Sequence, residues 1–474
     1  VDNGRSAGSW RELGAQLSTA VVLAGGVLVG AVNIYVAASL LPTAVRDIGG
    51  ELLYAWNMTA FLVAQVVATM FVSRMLSRYG NVGSYLIGFG VFAAGSAVCA
   101  VSPAMSVLLV GRGIQGLGAG LLTGLGFAVI HSALPPHLWA RGSALISAMF
   151  GVGNFVGPAL GGLFAQFGSW RPAFVVLAAA AVVMAAFVPR ALPPSERGER
   201  AIPVPTISLA LVVGAVGAVS VAGIVSNAAA IAALIALGLA LVITFLVTEK
   251  RAKVRVLPPS TYRSSSALRW VYLTIMFLAA GVAVETFLPL FSQHLGGLPP
   301  VAAGFFGAAL SLGWSASQIV SSSARRERTI RLLRIAGPAV LAAGFAVLAV
   351  LQHQNPSPLV VTAWLPVLLV GGAGIGIAMP HLSVAAMSST TNPEEGQQAA
   401  AAIATVLTMA TAFGAAVAGL LVNLGAPSMV TSVRYLLIGF AIISAFGIFT
   451  ARLTSHRTRR PEVSGAEPAA TDRP

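Results

Sequence analysis

Of the 14 acidic residues in this 474-residue chain, only Glu285 falls well inside an apolar run. A carboxylate surrounded by apolar chain costs about 3 kcal/mol or more as a charge, and binding a proton removes that cost. A group that alternates between the two forms can carry a proton. The competing use is a pairing with a polar neighbour near the end of its run, since Glu285 lies about 27 Å along a helix from Ala267 at ~1.5 Å per residue. Arg112 is the one basic residue inside such a run, and Gln115, one turn on, shares its helix face. Without a charged partner, Arg112 would serve as a hydrogen-bonding anchor. The third feature is Gly153-Asn-Phe-Val-Gly157-Pro158-Ala-Leu-Gly161-Gly162. Small residues at 153, 157 and 161 share one helix face and let another backbone approach closely. Pro158 removes a helical hydrogen bond there and favours a bend.

Asn33, Tyr35, Gln65, Gln115, Asn154, Trp314 and Gln318 are polar or amphipathic residues inside apolar runs. They could line a cavity, although each alone is more often packing glue than a ligand contact. His294, His353 and His381 fall at or near helix ends without metal-ligand spacing and read as surface or structural groups, so no metal is expected. No phosphate-binding loop is present, which argues against direct use of ATP, and no cofactor is implied.

The elements that must position these groups follow from composition. With 57% hydrophobic and 9% charged residues and a mean hydropathy of +0.87, the chain is an all-α polytopic membrane protein. Its partner is the lipid bilayer. A net charge of +14 would suggest nucleic acid in a soluble protein, but here the basic residues sit in short loops, so no nucleic acid is expected. The single Cys99 permits no internal disulfide. Arg outnumbers Lys by 26 to 2 in an Ala- and Gly-heavy chain, which suggests a GC-rich bacterial genome.

Apolar runs of about 18 residues or more predict fourteen spans: 18–41, 54–74, 83–102, 105–131, 142–167, 172–189, 205–225, 228–248, 267–292, 301–322, 335–352, 358–384, 397–424 and 433–452. With the N-terminus inside, 24 of the 28 basic residues fall on the cytoplasmic side, as the positive-inside rule requires. Both termini are then cytoplasmic. Asp47 and Glu51 fall in the first outer loop. Ser73-x-x-x-Ser77-Arg78 matches Ser323-x-x-x-Glu327-Arg328 at an offset of 250 residues, which agrees with two six-helix halves. The expected organisation is an N-terminal segment 1–17, a six-helix bundle 18–189, a linker with two inserted helices 190–266, a second bundle 267–452 and a disordered tail 453–474. Repeats of this kind place a substrate site near the membrane midplane between them.

Two motifs resemble a known family. The Gly153–Gly162 pattern is similar to the helix 5 antiporter motif of drug exporters in the major facilitator superfamily. Leu109-Val-Gly-Arg112-Gly-Ile-Gln115-Gly116-Leu-Gly118-Ala119-Gly120 resembles its helix 4 motif. The resemblance implies a major facilitator fold of the fourteen-helix drug:proton antiporter branch, with Arg112 tied to proton coupling or to holding helix 4 in place. It also implies a gating loop after helix 2, where Arg78 and Gly80 survive and Glu327 and Arg328 mark the matching place in the second half. Two departures stand out. The branch commonly carries an acid in helix 1 where Asn33 stands. Its loop pattern Gly-x-x-x-Asp-Arg-x-Gly-Arg-Arg has Ser73, Ser77, Asn81 and Val82 replacing four positions.

The expected function is secondary active export of small apolar or amphipathic compounds in a bacterial plasma membrane, coupled to protons. Export or flipping of an endogenous lipid or metabolite is the alternative. An embedded enzyme would need clustered His, Asp or Glu near a membrane face, and a receptor would show a sizeable extramembrane domain. The sequence offers neither.

Overall fold

A computed structural model describes residues 16–135, 138–192, 203–252, 254–263, 266–389 and 393–456. The N-terminal segment to 15, part of the linker and the tail from 457 therefore lie outside the described residues, while 453–456, expected in the disordered tail, continue the last helix. Only helices and closed barrels satisfy their own backbone in lipid, and the described residues hold helices and no strand. The first six long helices are α1 Leu17–Ile48, α2 Trp56–Thr69, α3 Val72–Ala100, α4 Met105–Ala128, α5 Trp139–Gln166 and α6 Arg171–Ala191. A pair follows, α7 Thr206–Ala222 and α8 Ala228–Arg251. The last six are α9 Leu268–His294, α10 Pro300–Ser321, α11 Glu327–Val350, α12 Pro358–Met387, α13 Pro393–Leu424 and α14 Met429–His456.

Twelve helices among the described residues are long and apolar enough to cross a membrane, against the fourteen expected. The other two are α7, with 17 residues, and α10, whose apolar character is diluted by Ser311, Trp314, Ser315, Ser317 and Gln318.

Helix pairings in the first six recur in the last six. α3 packs on α4 and α6, α1 on α5 and α4, and α2 on α4. Correspondingly, α11 packs on α12 and α14, α9 on α13 and α12, and α10 on α12. Small residues make these contacts close: Gly313 and Gly372 set α10 directly on the backbone of α12. The two sets of six meet through α5 with α10, α2 with α13, and α1 with α9 and α10. The inserted α7 packs on α8, α2 and α13, and so covers one seam between them. Val66, Leu209, Val212, Phe245 and Met409 fill that junction.

Several sequence boundaries move. α1 continues through Pro42 to Ile48, because one proline costs one helical bond while Gly49, at φ 69°, closes the end with its N–H on the Val45 carbonyl. Asp47 thus stands on a helix rather than in a loop. It accepts hydrogen bonds from Arg171 at 2.6 Å and from the Trp170 indole at 3.1 Å. The expected loop at 73–82 is instead the start of α3. Gly80, at φ 69°, takes a conformation that other residues resist and joins two helical stretches at a kink. Arg78 is exposed there, its guanidinium over the Tyr79 ring. Glu327 and Arg328 are likewise on the exposed first turn of α11. Pro158 sits inside an α5 that runs unbroken from Trp139 to Gln166. His381, expected at a helix end, is buried within α12, its Nε2 3.0 Å from the Ser321 hydroxyl.

Glu249 is a second buried acid that the span boundary at 248 hid. Its carboxylate accepts from the Ser208 hydroxyl of α7, from the N–H groups of Val256 and Leu257, and from the Tyr262 hydroxyl. Burial, with Glu249 beside it, pushes the Tyr262 phenol above its usual range. This carboxylate ties the inserted pair to the segment leading into α9. Glu249→Ala strands several buried donors, so a loss of about 3 kcal/mol is expected. Thermal unfolding in detergent checks it, and an unchanged midpoint would show that the staple holds nothing.

Candidate functional site

Glu285 occupies a break in α9. Gly281–Thr286 forms a 3-10 turn between Leu268–Ala280 and Leu288–His294. Pro289 explains the break, since it has no N–H to give to the Glu285 carbonyl four residues back. The expectation of one continuous helix over 267–292 fails for this reason. The break turns the carboxylate toward α10, where it accepts from the Ser311 backbone N–H at 2.6 Å and the Ser311 hydroxyl at 2.9 Å. The Tyr35 hydroxyl of α1 donates to it at 3.5 Å. Glu285 is 6% exposed. The site therefore joins the first six helices to the last six through one carboxylate.

Of the residues picked out from sequence, the structure brings Tyr35 to Glu285. Ser311 was missed, although it shares a helix face with Gly307, Trp314 and Gln318. Trp314 donates its indole N–H to Gln318 at 2.8 Å, and Gln318 is exposed. Asn154 is buried on α5, and Gln65 is buried on α2 with its backbone against Gly120.

A second polar cluster lies within the first six helices. Arg112 donates through Nη1 to Gln115 at 2.8 Å and through Nε to the Asn57 carbonyl at 3.3 Å. Its guanidinium stands 4.4 Å from the centre of the Phe61 ring. Gln115 in turn donates to the Ser96 hydroxyl at 2.7 Å. Arg112 and Gln115 are thus brought together as expected from their spacing, but not with Glu285. Asn33 is fully buried, and neither of its side-chain polar atoms has a hydrogen-bond partner.

The glycine ladder supports the Glu285 site from behind. A Cβ on Gly153 would lie 2.7 Å from the Ala31 Cβ. One on Gly157 would lie 2.5 Å from the Tyr35 Cβ, and one on Gly161 would lie 2.7 Å from the Val36 carbonyl. The face at 153, 157 and 161 is therefore the α1 contact, and Gly157 backs the tyrosine that reaches Glu285. Gly162 turns to α10 instead, against Val301, while Gly304 approaches Ser39 and the Pro158 carbonyl. The motif is the node where α1, α5 and α10 meet.

At the end of the bundle where α1 stops and α2 starts, the two sets of six are closed on each other. The Tyr54 and Phe287 rings stack at 5.0 Å, Ala55 meets Gly419, and Asn423 donates to the Leu52 and Gly223 carbonyls.

Comparison with known proteins gives the family. The Major Facilitator Superfamily model matches residues 23–405. A Mycobacterium tuberculosis (strain H37Rv) protein named "Probable multidrug-efflux transporter" is 45% identical over 461 residues, which cover 96% of this chain and 98% of that one. The chain belongs to the Major Facilitator Superfamily.

This superfamily comprises membrane transporters, not enzymes. A Bacillus subtilis multidrug transporter protein is 25% identical over 365 residues, 75% of this chain and 66% of its own. Two solved transporter structures share the fold. A bacterial homologue of the lysosomal transporter Spinster superposes with a TM-score of 0.66 at 11% identity, covering 95% of this chain and 98% of that one. A D-xylose–proton symporter does so with 0.64 at 14%, covering 93% and 97%. Asn33 stands inside α1 where an acid could have been, Asp47 at the end of that helix is paired with Arg171, and Glu285 on α9 is the buried carboxylate among the described residues at the meeting of the two sets of six.

Proposed function

We propose that this chain is a fourteen-span exporter that moves apolar or amphipathic compounds out of a bacterial cell in exchange for protons, by alternating access about the α1–α5–α10 node. The observation that carries the reading is the Glu285 carboxylate, held between Ser311 of α10 and Tyr35 of α1. A carboxylate that spans the junction changes its interactions whenever the junction opens, so its proton and the access state are linked. Multidrug efflux, and with it antibiotic resistance, is supported by the name of the mycobacterial relative and by the few polar side chains inside the apolar runs of the sequence. Arg112 serves the first six helices as a fixed charge, and Gly153, Gly157, Pro158, Gly161 and Gly162 supply the close contact about which they move.

The fourteen-span count is supported by the recurrence of helix pairings on either side of α7 and α8, and by the charge asymmetry, which favours both termini in the cytoplasm. Reporter fusions at Ser226 and Asn355 are expected to read outside, and fusions at Pro194 and Pro258 inside. Any two on the wrong side would end the count.

The function itself is tested by expression in a host lacking its own pumps, scored against a broad panel of toxic compounds. Resistance to several unrelated apolar compounds, lost when the proton gradient is collapsed, is the expected profile. No resistance to any of them would favour an endogenous lipid or metabolite as cargo.

A further inference from the structure

We propose that Arg112, Asn57 and Asn33 form a binding site for one negatively charged group, uncovered when the two sets of six helices part at the end where α1 stops and α2 starts. Arg112 is fully buried, and a guanidinium keeps its charge. The acceptors it reaches, Gln115 Oε1 and the Asn57 carbonyl, are both neutral. Its Nη2 has no hydrogen-bond partner, and neither has the side-chain nitrogen of Asn57, the residue whose carbonyl its Nε reaches.

None of the described carboxylates answers this charge. Asp47 is with Arg171, Glu249 with Ser208 and Tyr262, and Glu285 with Ser311 and Tyr35, while Glu51 and Glu327 are exposed. A buried cation without a counter-charge is costly, and so is a buried amide donor without an acceptor. One anionic group would satisfy both.

Asn33 belongs to the same level of the bundle. Gly30 of α1 faces Ala119 of α4. The two helices run in opposite directions, so a turn further along α1 corresponds to a turn back along α4. That sets Asn33 level with Gln115, one turn from Arg112. Asn33 brings two more buried polar atoms without partners and no charge of its own.

Access follows from the chain. Asn57 is the second residue of α2, and the residues just before it make the closed contact: Tyr54 on Phe287 and Ala55 on Gly419. Alternating access requires that contact to open, and opening strips the cover from Asn57. One guanidinium above an aromatic face serves a single charge. The chemistry is therefore a monovalent anion, either a free halide or the carboxylate of an amphiphilic cargo. The proposal rests on the transport reading for the opening motion but not on Glu285, and it is tested by binding rather than by transport.

The test uses the purified full-length chain in detergent, with radiolabelled chloride and radiolabelled decanoate as probes and decanol as the uncharged control. Saturable binding of chloride, of decanoate, or of both in competition is expected, with no displacement by decanol. Chloride alone identifies a halide site, and decanoate alone or in competition identifies a cargo carboxylate. Arg112→Gln should weaken binding at least tenfold, and Arg112→Lys should retain part of it. Should Arg112→Gln not fold, Asn57→Asp carries the test, because it supplies a fixed carboxylate beside the guanidinium. It should lose anion binding while its unfolding midpoint is no lower than the wild type's. Absence of saturable binding of either anion to the wild type, or wild-type affinity in Asn57→Asp, would overturn the proposal.

Discussion

Gly157→Leu is expected to reach the membrane in normal amount and to lose transport. Even the first atom of a side chain at 157 would stand 2.5 Å from the Tyr35 Cβ and 2.9 Å from the Val32 carbonyl. Neither neighbour is the free end of a flexible chain, so α1 and α5 must separate. Overpacking of this kind costs about 1–3 kcal/mol, a sizeable part of the roughly 5.5 kcal/mol that would carry a two-state equilibrium from one extreme to the other. Folding of a fourteen-helix protein survives such a cost, but a cycle that needs both states populated does not. The displacement also falls on Tyr35, which reaches Glu285. Gly151 on the same helix is the internal control, because a Cβ there meets nothing within 4 Å. Gly151→Leu should transport close to wild type in the same vesicle uptake assay. Equal activity of the two variants would strip the glycine ladder of mechanical meaning in this chain.

How much of this was legible beforehand varied with the range of the interaction. The period-four spacing of Gly153, Gly157 and Gly161 announced a close backbone contact, because spacing along one helix is local information. That the partner is α1, and that Gly162 faces α10 instead, depends on tertiary packing that no spacing contains. Glu285 stood out by hydropathy alone, whereas Ser311 did not, since a serine in an apolar helix is unremarkable until another element faces it. The break beside Glu285 was written in Gly281 and Pro289 but was overridden by the length of the apolar run. Glu249 and His381 were missed for one reason. Their burial is decided by a neighbouring helix, while a hydropathy boundary only marks where the apolar run thins. The loop reading at 73–82 failed because Gly80 lets a polar stretch remain helical through a kink.

Glu285→Gln should separate binding from energy coupling. Glutamine keeps the length and planarity of the side chain and an oxygen for the Ser311 N–H at the place where that bond now measures 2.6 Å. It cannot titrate. If a proton on Glu285 is exchanged for cargo, the variant should bind cargo with near-wild-type affinity and equilibrate it downhill. It should fail to accumulate cargo against a gradient, with a loss of tenfold or more, and its transport should become flat with external pH. A cationic cargo would in addition bind more weakly, because the variant removes the one carboxylate at the junction, whereas a neutral cargo would not. One substitution therefore reads both the coupling and the charge of the cargo. Tyr35→Phe supplies the complementary measurement. It removes the hydroxyl that reaches the carboxylate from α1 but leaves the proton-carrying group itself. Uphill accumulation should persist there at a reduced rate, because the loss falls on communication across the junction. Uphill, pH-dependent export by Glu285→Gln at the wild-type rate would remove Glu285 from the proton path altogether.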